Sequence, residues 1–249
     1  MTNRIVVGVD GSVGARVALL WAVDECRVRN RTLLIVHAPD GAAAATPGES
    51  ALRALDEEGE RLLTAHAAAA SARQPGVAVT TMLSHDAASD ILVALSGDAD
   101  LLVVGTHGRG GNLASILGSV SHRVAAHAHC PVAVVPERPA LNGTLAPRIV
   151  VGVSASVSGQ AALEFAREEA VCRGATVVAV RAPGEPGEPA DALLAAARDA
   201  VLVVVGCHHS DDRWSTRLGP VPSAILHRSP CPVVVVGQRR KVPLSAARP

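Results

Sequence analysis

The residues best suited to chemistry lie between Gly105 and Ser121, in the run GTHGRGGNLASILGSVS. Gly105 and Gly108 lack a Cβ and tolerate positive φ, so the backbone there can approach a ligand closely. His107 is a hydrogen-bond donor when neutral and a cation when protonated, and Arg109 is the nearby permanent charge. A helix is expected to open near Gly118-Ser119, and a helix start carries unpaired N–H groups and the positive end of a dipole. Ser119 and Ser121 are placed to cap that helix and to offer hydroxyls, with Val120 between them. Flexible glycines followed by a helix N-terminus are the makings of an anion seat, a phosphate above all.

Strands and helices must hold this loop in place. Leu101–Val104 reads as a buried strand feeding into Gly105, and Val132–Val135 as another, after Cys130-Pro131. Upstream, Ile5–Val9, Thr32–Val36 and Val77–Leu83 read as strands. The segments from Ser12 to Val28, Glu49 to Arg73 and Ala87 to Leu95 read as helices between them, and Asp40–Gly48 as a loop. Alternation of apolar strands with helices predicts a parallel sheet with right-handed crossovers, buried on both faces.

Gly105-x-x-Gly108 followed by Gly118-Ser119, leading into Cys130-Pro131 and an apolar strand, resembles the ATP-binding signature of the universal stress protein family. The resemblance implies an α/β, Rossmann-like (adenine nucleotide α-hydrolase-like) fold with a parallel five-stranded sheet of order 3-2-1-4-5. In such a sheet ligands sit at the switch point between strands one and four, where Asp10 and Gly105 end their strands. By that likeness Asp10, with Gly11 and Ser12, contacts the nucleotide; Val36 and His37 border the adenine; and Gly105, His107, Gly108, Arg109, Gly118, Ser119, Val120 and Ser121 surround the phosphates. The cofactor implied is ATP, with or without Mg²⁺. For Asp10 a helix-capping role stays open, and for His107 and Arg109 a solvated one.

The chain also repeats itself. Arg4-Ile5-Val6-Val7-Gly8-Val9 recurs as Arg148-Ile149-Val150-Val151-Gly152-Val153, and Glu25 and Ala38-Pro39 recur as Glu169 and Ala182-Pro183. Gly118 and Cys130-Pro131 recur as Gly219 and Cys231-Pro232, but closer behind, so the second copy lacks a segment. The lost part corresponds to the long helix and third strand. Residues 1–138 and 146–238 are therefore read as two such domains, the second shortened, joined by a linker around Pro139–Pro147. The second copy has Ser154 for Asp10, His209 for Gly108, and Pro220 and Pro222 for Ser119 and Ser121. Proline has no N–H, so this copy is expected to have closed its crevice and to bind no nucleotide. By the resemblance the two fifth strands pair, giving an intramolecular pseudo-dimer; association of two chains stays open.

Composition narrows the function. The 249 residues carry 23 Lys+Arg and 23 Asp+Glu, a formal net charge of zero, which gives no basic footprint for nucleic acid. No apolar run has the length of a membrane helix, the N-terminus enters a strand with no signal peptide, and the five cysteines show no disulfide or zinc spacing. A cytoplasmic protein is expected. Lys241 is the only lysine, so no P-loop exists, and beyond Asp10 there is no carboxylate or lysine set for phosphoryl transfer. The reading is a non-enzymatic, ATP-binding, stress-response regulatory module. A weak ATPase or phosphotransferase and a nucleotide-free scaffold remain the alternatives.

Overall fold

In the computed structural model, residues 3–39, 49–108, 117–137, 147–181, 188–207 and 218–237 are described. The Asp40–Gly48 loop, Arg109, His209 and nearly all of the linker lie outside them. The front half runs β1 (Arg4–Val9), α1 (Val13–Arg29), β2 (Thr32–His37), α2 (Glu49–Arg73), β3 (Val79–Leu83), α3 (Ala88–Leu95), β4 (Leu101–Gly105), α4 (Ser119–His127) and β5 (Val132–Val135). The back half runs β6 (Arg148–Val153), α5 (Val157–Arg173), β7 (Thr176–Arg181), α6 (Glu188–Ala197), β8 (Leu202–Gly206), α7 (Pro220–Arg228) and β9 (Val233–Val236).

The nine strands among the described residues form one sheet of order β3-β2-β1-β4-β5-β9-β8-β6-β7. The front half has the expected 3-2-1-4-5 order. Among the described residues the back half keeps that order without a third strand, which leaves β7 at the edge. Pairing is parallel within each half and antiparallel at the junction, where Val132, Ala133 and Val134 face Val235, Val234 and Val233.

Alternation along the strands builds two cores, one on each face of the sheet. Ile5 and Val7 point to the face covered by α1, α2 and α5; Val6 points to the face covered by α3, α4, α6 and α7. Both cores run unbroken across the β5–β9 junction, since Val134 and Val233 share one and Ala133 and Val234 the other. Local signals set the helix ends. Ser12 and Ser156 cap α1 and α5, each hydroxyl accepting an N–H at 3.1 Å (from Ala15 and from Gly159). Asn30 and Gly174 close the same helices in the left-handed region, at φ 53° and 60°.

Where α1 and α5 cross, four charges from equivalent positions of the two halves form a closed ring. Arg29 Nε donates to Glu25 at 2.6 Å, and Arg173 Nε to Glu169 at 2.7 Å. The second arm of each guanidinium reaches across, Arg29 to Glu169 and Arg173 to Glu25. Arg29 lies 4.7 Å over the Phe165 ring and Arg173 lies 5.7 Å over that of Trp21. Both glutamates are 1% exposed.

The cysteines form no disulfide. Burial, then the neighbouring Glu25 charge, pushes the Cys26 thiol up to about 12, and burial pushes Cys231 up to about 11. Neither is a nucleophile at neutral pH.

Candidate functional site

The carboxyl ends of β1 and β4 open into a cavity of about 230 Å³, bounded by α3 and the start of α4. The chain leaves β1 through Asp10 and turns at Gly11, whose φ of +83° is one that a side chain rarely adopts. Asp10 Oδ1 accepts the Ser12 N–H at 3.0 Å, and the Ser12 hydroxyl reaches the His107 carbonyl at 3.5 Å. Across the crevice the Gly118 N–H donates to the Thr106 carbonyl at 2.7 Å. The buried Ser121 hydroxyl donates to the Gly105 carbonyl at 2.6 Å. These two bonds fasten the start of α4 to the end of β4.

Gly118 is the N-cap of α4, and the first intrahelical bond runs from the His122 N–H to the Gly118 carbonyl at 3.0 Å. The N–H groups of Ser119, Val120 and Ser121 therefore have no intrahelical acceptor, and all three residues line the cavity. Neither serine caps the helix, contrary to expectation: no side chain bonds the cap. The Ser121 hydroxyl proton is taken by Gly105, while its amide has no intrahelical acceptor.

The glycines also differ from expectation in their reason. A Cβ on Gly105 would meet the Gly14 backbone at 2.9 Å, so this glycine serves the packing of α1 on β4. On Gly108 it would collide with the Asp10 carboxylate, which ties the loop to the end of β1. Neither has a positive φ.

Of the residues expected at the site, Asp10, Val36, Gly105, His107, Gly108, Gly118, Ser119, Val120 and Ser121 line the cavity. Gly11 and Ser12 stand behind it as turn and cap. His37 is turned away: its Nδ1 lies 2.8 Å from the Val9 carbonyl, and a Cβ on Gly59 of α2 would meet its ring. His37 therefore packs beneath α2, because consecutive strand residues face opposite sides, and the next residue, Ala38, lines the cavity in its place. The missed wall is Ala88, Ile91 and Leu92 of α3. Their i, i+3, i+4 spacing was the available signal. Among the described residues no Lys or Arg lines the cavity and no cluster of His, Cys, Asp or Glu could hold a metal.

The back half carries a cavity at the matching place, about 270 Å³, between the ends of β6 and β8, Leu193 in the middle of α6 and the start of α7. Of the residues expected to close it, His209 lies outside the described residues. Pro220 and Pro222 lie in the first turn of α7, where the ring fits the helix, and they form the wall rather than fill the space.

The sequence profile described as Universal stress protein family matches residues 1–136 and 184–237. The chain belongs to the universal stress protein family. Universal stress protein Rv1996 of Mycobacterium tuberculosis is 28% identical over 297 aligned positions, covering 93% of this chain and 94% of the relative. Universal stress protein Rv2624c of the same organism is 34% identical over 189 positions, covering 75% of this chain and 66% of the relative. Among solved structures, a universal stress protein from Archaeoglobus fulgidus superposes with a TM-score of 0.76 at 17% identity, covering 96% of this chain and 100% of its own. That likeness establishes the Rossmann-like α/β fold. No helix among the described residues is long and apolar enough to cross a membrane.

Proposed function

We propose that the front cavity binds ATP and that the protein acts as a cytoplasmic, non-catalytic nucleotide-binding module of the stress response. One observation carries this reading: three adjacent helix-start amides, at Ser119, Val120 and Ser121, face an open crevice whose other walls are Val36, Ala38, Ile91 and Leu92. A triphosphate needs converging N–H donors, and an adenine ring needs an apolar slot. The residues fit such a ligand. They also fit Mg²⁺: Asp10 is the one carboxylate among the described lining residues, and Mg²⁺ commonly takes one or two carboxylates with the substrate's own phosphate oxygens. Without a cation, Asp10 would repel the phosphates. In this reading residues 146–238 form a second, nucleotide-free domain that pairs β9 with β5.

Two measurements test it. ATP at one hundred times its dissociation constant should raise stability by about 2.7 kcal/mol, read as a shift of the thermal midpoint, and the purified protein should release nucleotide on denaturation. A midpoint unmoved by ATP would leave the scaffold reading standing. Multiple turnovers of ATP, abolished by Asp10→Ala, would convert the module into an enzyme.

A further inference from the structure

We propose that the back cavity is a second binding site, for an uncharged planar heteroaromatic molecule. The two cavities match wall by wall: Val180, Leu193, Val205 and Val221 stand where Val36, Leu92, Val104 and Val120 stand in front. What differs among the described lining residues is the groups that would address an anion. Ser154 replaces the carboxylate of Asp10, and its hydroxyl lies 2.8 Å from that of Ser156. Pro220 and Pro222 take away two of the three amides at the helix start. The remaining described lining is apolar side chain and glycine backbone, with no ionisable group among the described residues.

Such a surface rejects charge. A phosphate brought there would lose its hydration against two proline rings and gain one amide, that of Val221, in return. An uncharged ring system loses little on leaving water and gains contact with four branched side chains. Size sets the class more narrowly. An apolar cavity of about 150 Å³ takes up a single benzene ring, so 270 Å³ admits a fused two-ring system. Ring edges bearing N–H or nitrogen acceptors would find the Gly152 and Gly206 backbone and the Ser154 hydroxyl at the rim. This assignment does not depend on what the front cavity binds.

The test uses the full chain with ¹³C-labelled Leu and Val methyl groups, titrated separately with indole, adenosine and ATP. Indole or adenosine should shift the Leu193, Val205 and Val221 methyls saturably, whereas ATP leaves them in place. The Leu92, Val104 and Val120 methyls report the front cavity independently in the same spectra. Val221→Trp, which fills the space from the helix side, should weaken indole at least tenfold. Should that variant lose the native methyl spectrum, Val180→Phe on the edge strand β7 makes the same test. Absence of saturable shifts at all three back methyls with millimolar indole and adenosine would overturn the proposal. So would ATP saturating those methyls as tightly as adenosine does.

Discussion

Joint replacement of Ser119 and Ser121 by proline is expected to reduce ATP affinity by two to four orders of magnitude while the protein stays folded. Each proline removes one amide from the start of α4, leaving that of Val120. A hydrogen bond to a charged group is worth about 1.5–3 kcal/mol, so losing two costs about 3–6 kcal/mol, and each 1.4 kcal/mol is tenfold in affinity. The fold should tolerate the change because α7 starts with that pattern, Pro220-Val221-Pro222 after the Gly219 cap, and still forms nine residues of helix. The expected structural loss is the bond from Ser121 to the Gly105 carbonyl, about 0.5–1.5 kcal/mol. Ser121→Ala supplies the control. It removes the hydroxyl and keeps the amide, so affinity should fall by less than tenfold. Calorimetric titration of the three proteins decides: a double-proline variant that binds ATP within threefold of the parent would show that the amides are not the seat.

The same contrast explains what could be read without coordinates. Apolar runs such as Leu101–Val104 and Val132–Val135 are strands in any α/β context, and a glycine followed by Ser-Val-Ser after such a strand marks a helix start. Those signals are local, and they point to the end of β4 and the start of α4, where the front cavity opens. Which side a residue faces is not local. His37 ends an apolar strand as Val36 does, yet one packs under α2 and the other lines the crevice, and only the register of β2 against β1 separates them. The reason for Gly105 was equally hidden, since the Gly14 backbone that excludes a Cβ belongs to the neighbouring helix. The prolines of α7 looked like plugs because their lost amides are a property of sequence. That they form a wall of the back cavity depends on how α7 is set against the sheet.

The charge ring is the feature least visible beforehand, for Glu25/Arg29 and Glu169/Arg173 have the ordinary i, i+4 spacing of exposed helix pairs. In the folded protein Glu169→Gln is expected to cost about 3–5 kcal/mol, because removing one partner of a buried ion cluster leaves charge uncompensated. Glu25→Gln should cost far less at neutral pH, and the difference follows from their titration. Burial raises Glu169, but Arg29 and then Arg173 outweigh it and hold this carboxyl below its ordinary 4.5. Its ionisation therefore stabilises the fold above that value and the contribution fades as the pH falls. At Glu25 burial prevails over Arg173 and Arg29, helped by the charge of Glu169, and pushes the carboxyl up to about 7. Glu25 thus favours the fold most in its protonated form, below 4.5, and that contribution is lost as the pH rises through about 7. Glutamine mimics the protonated acid, so the small penalty of Glu25→Gln should shrink further between pH 5 and pH 8, while that of Glu169→Gln persists. Urea denaturation at both pH values separates the two variants. Equal penalties at both would mean that the carboxylates share the guanidiniums evenly, and the ring would then be a symmetric clasp between α1 and α5 with no preferred site for its proton.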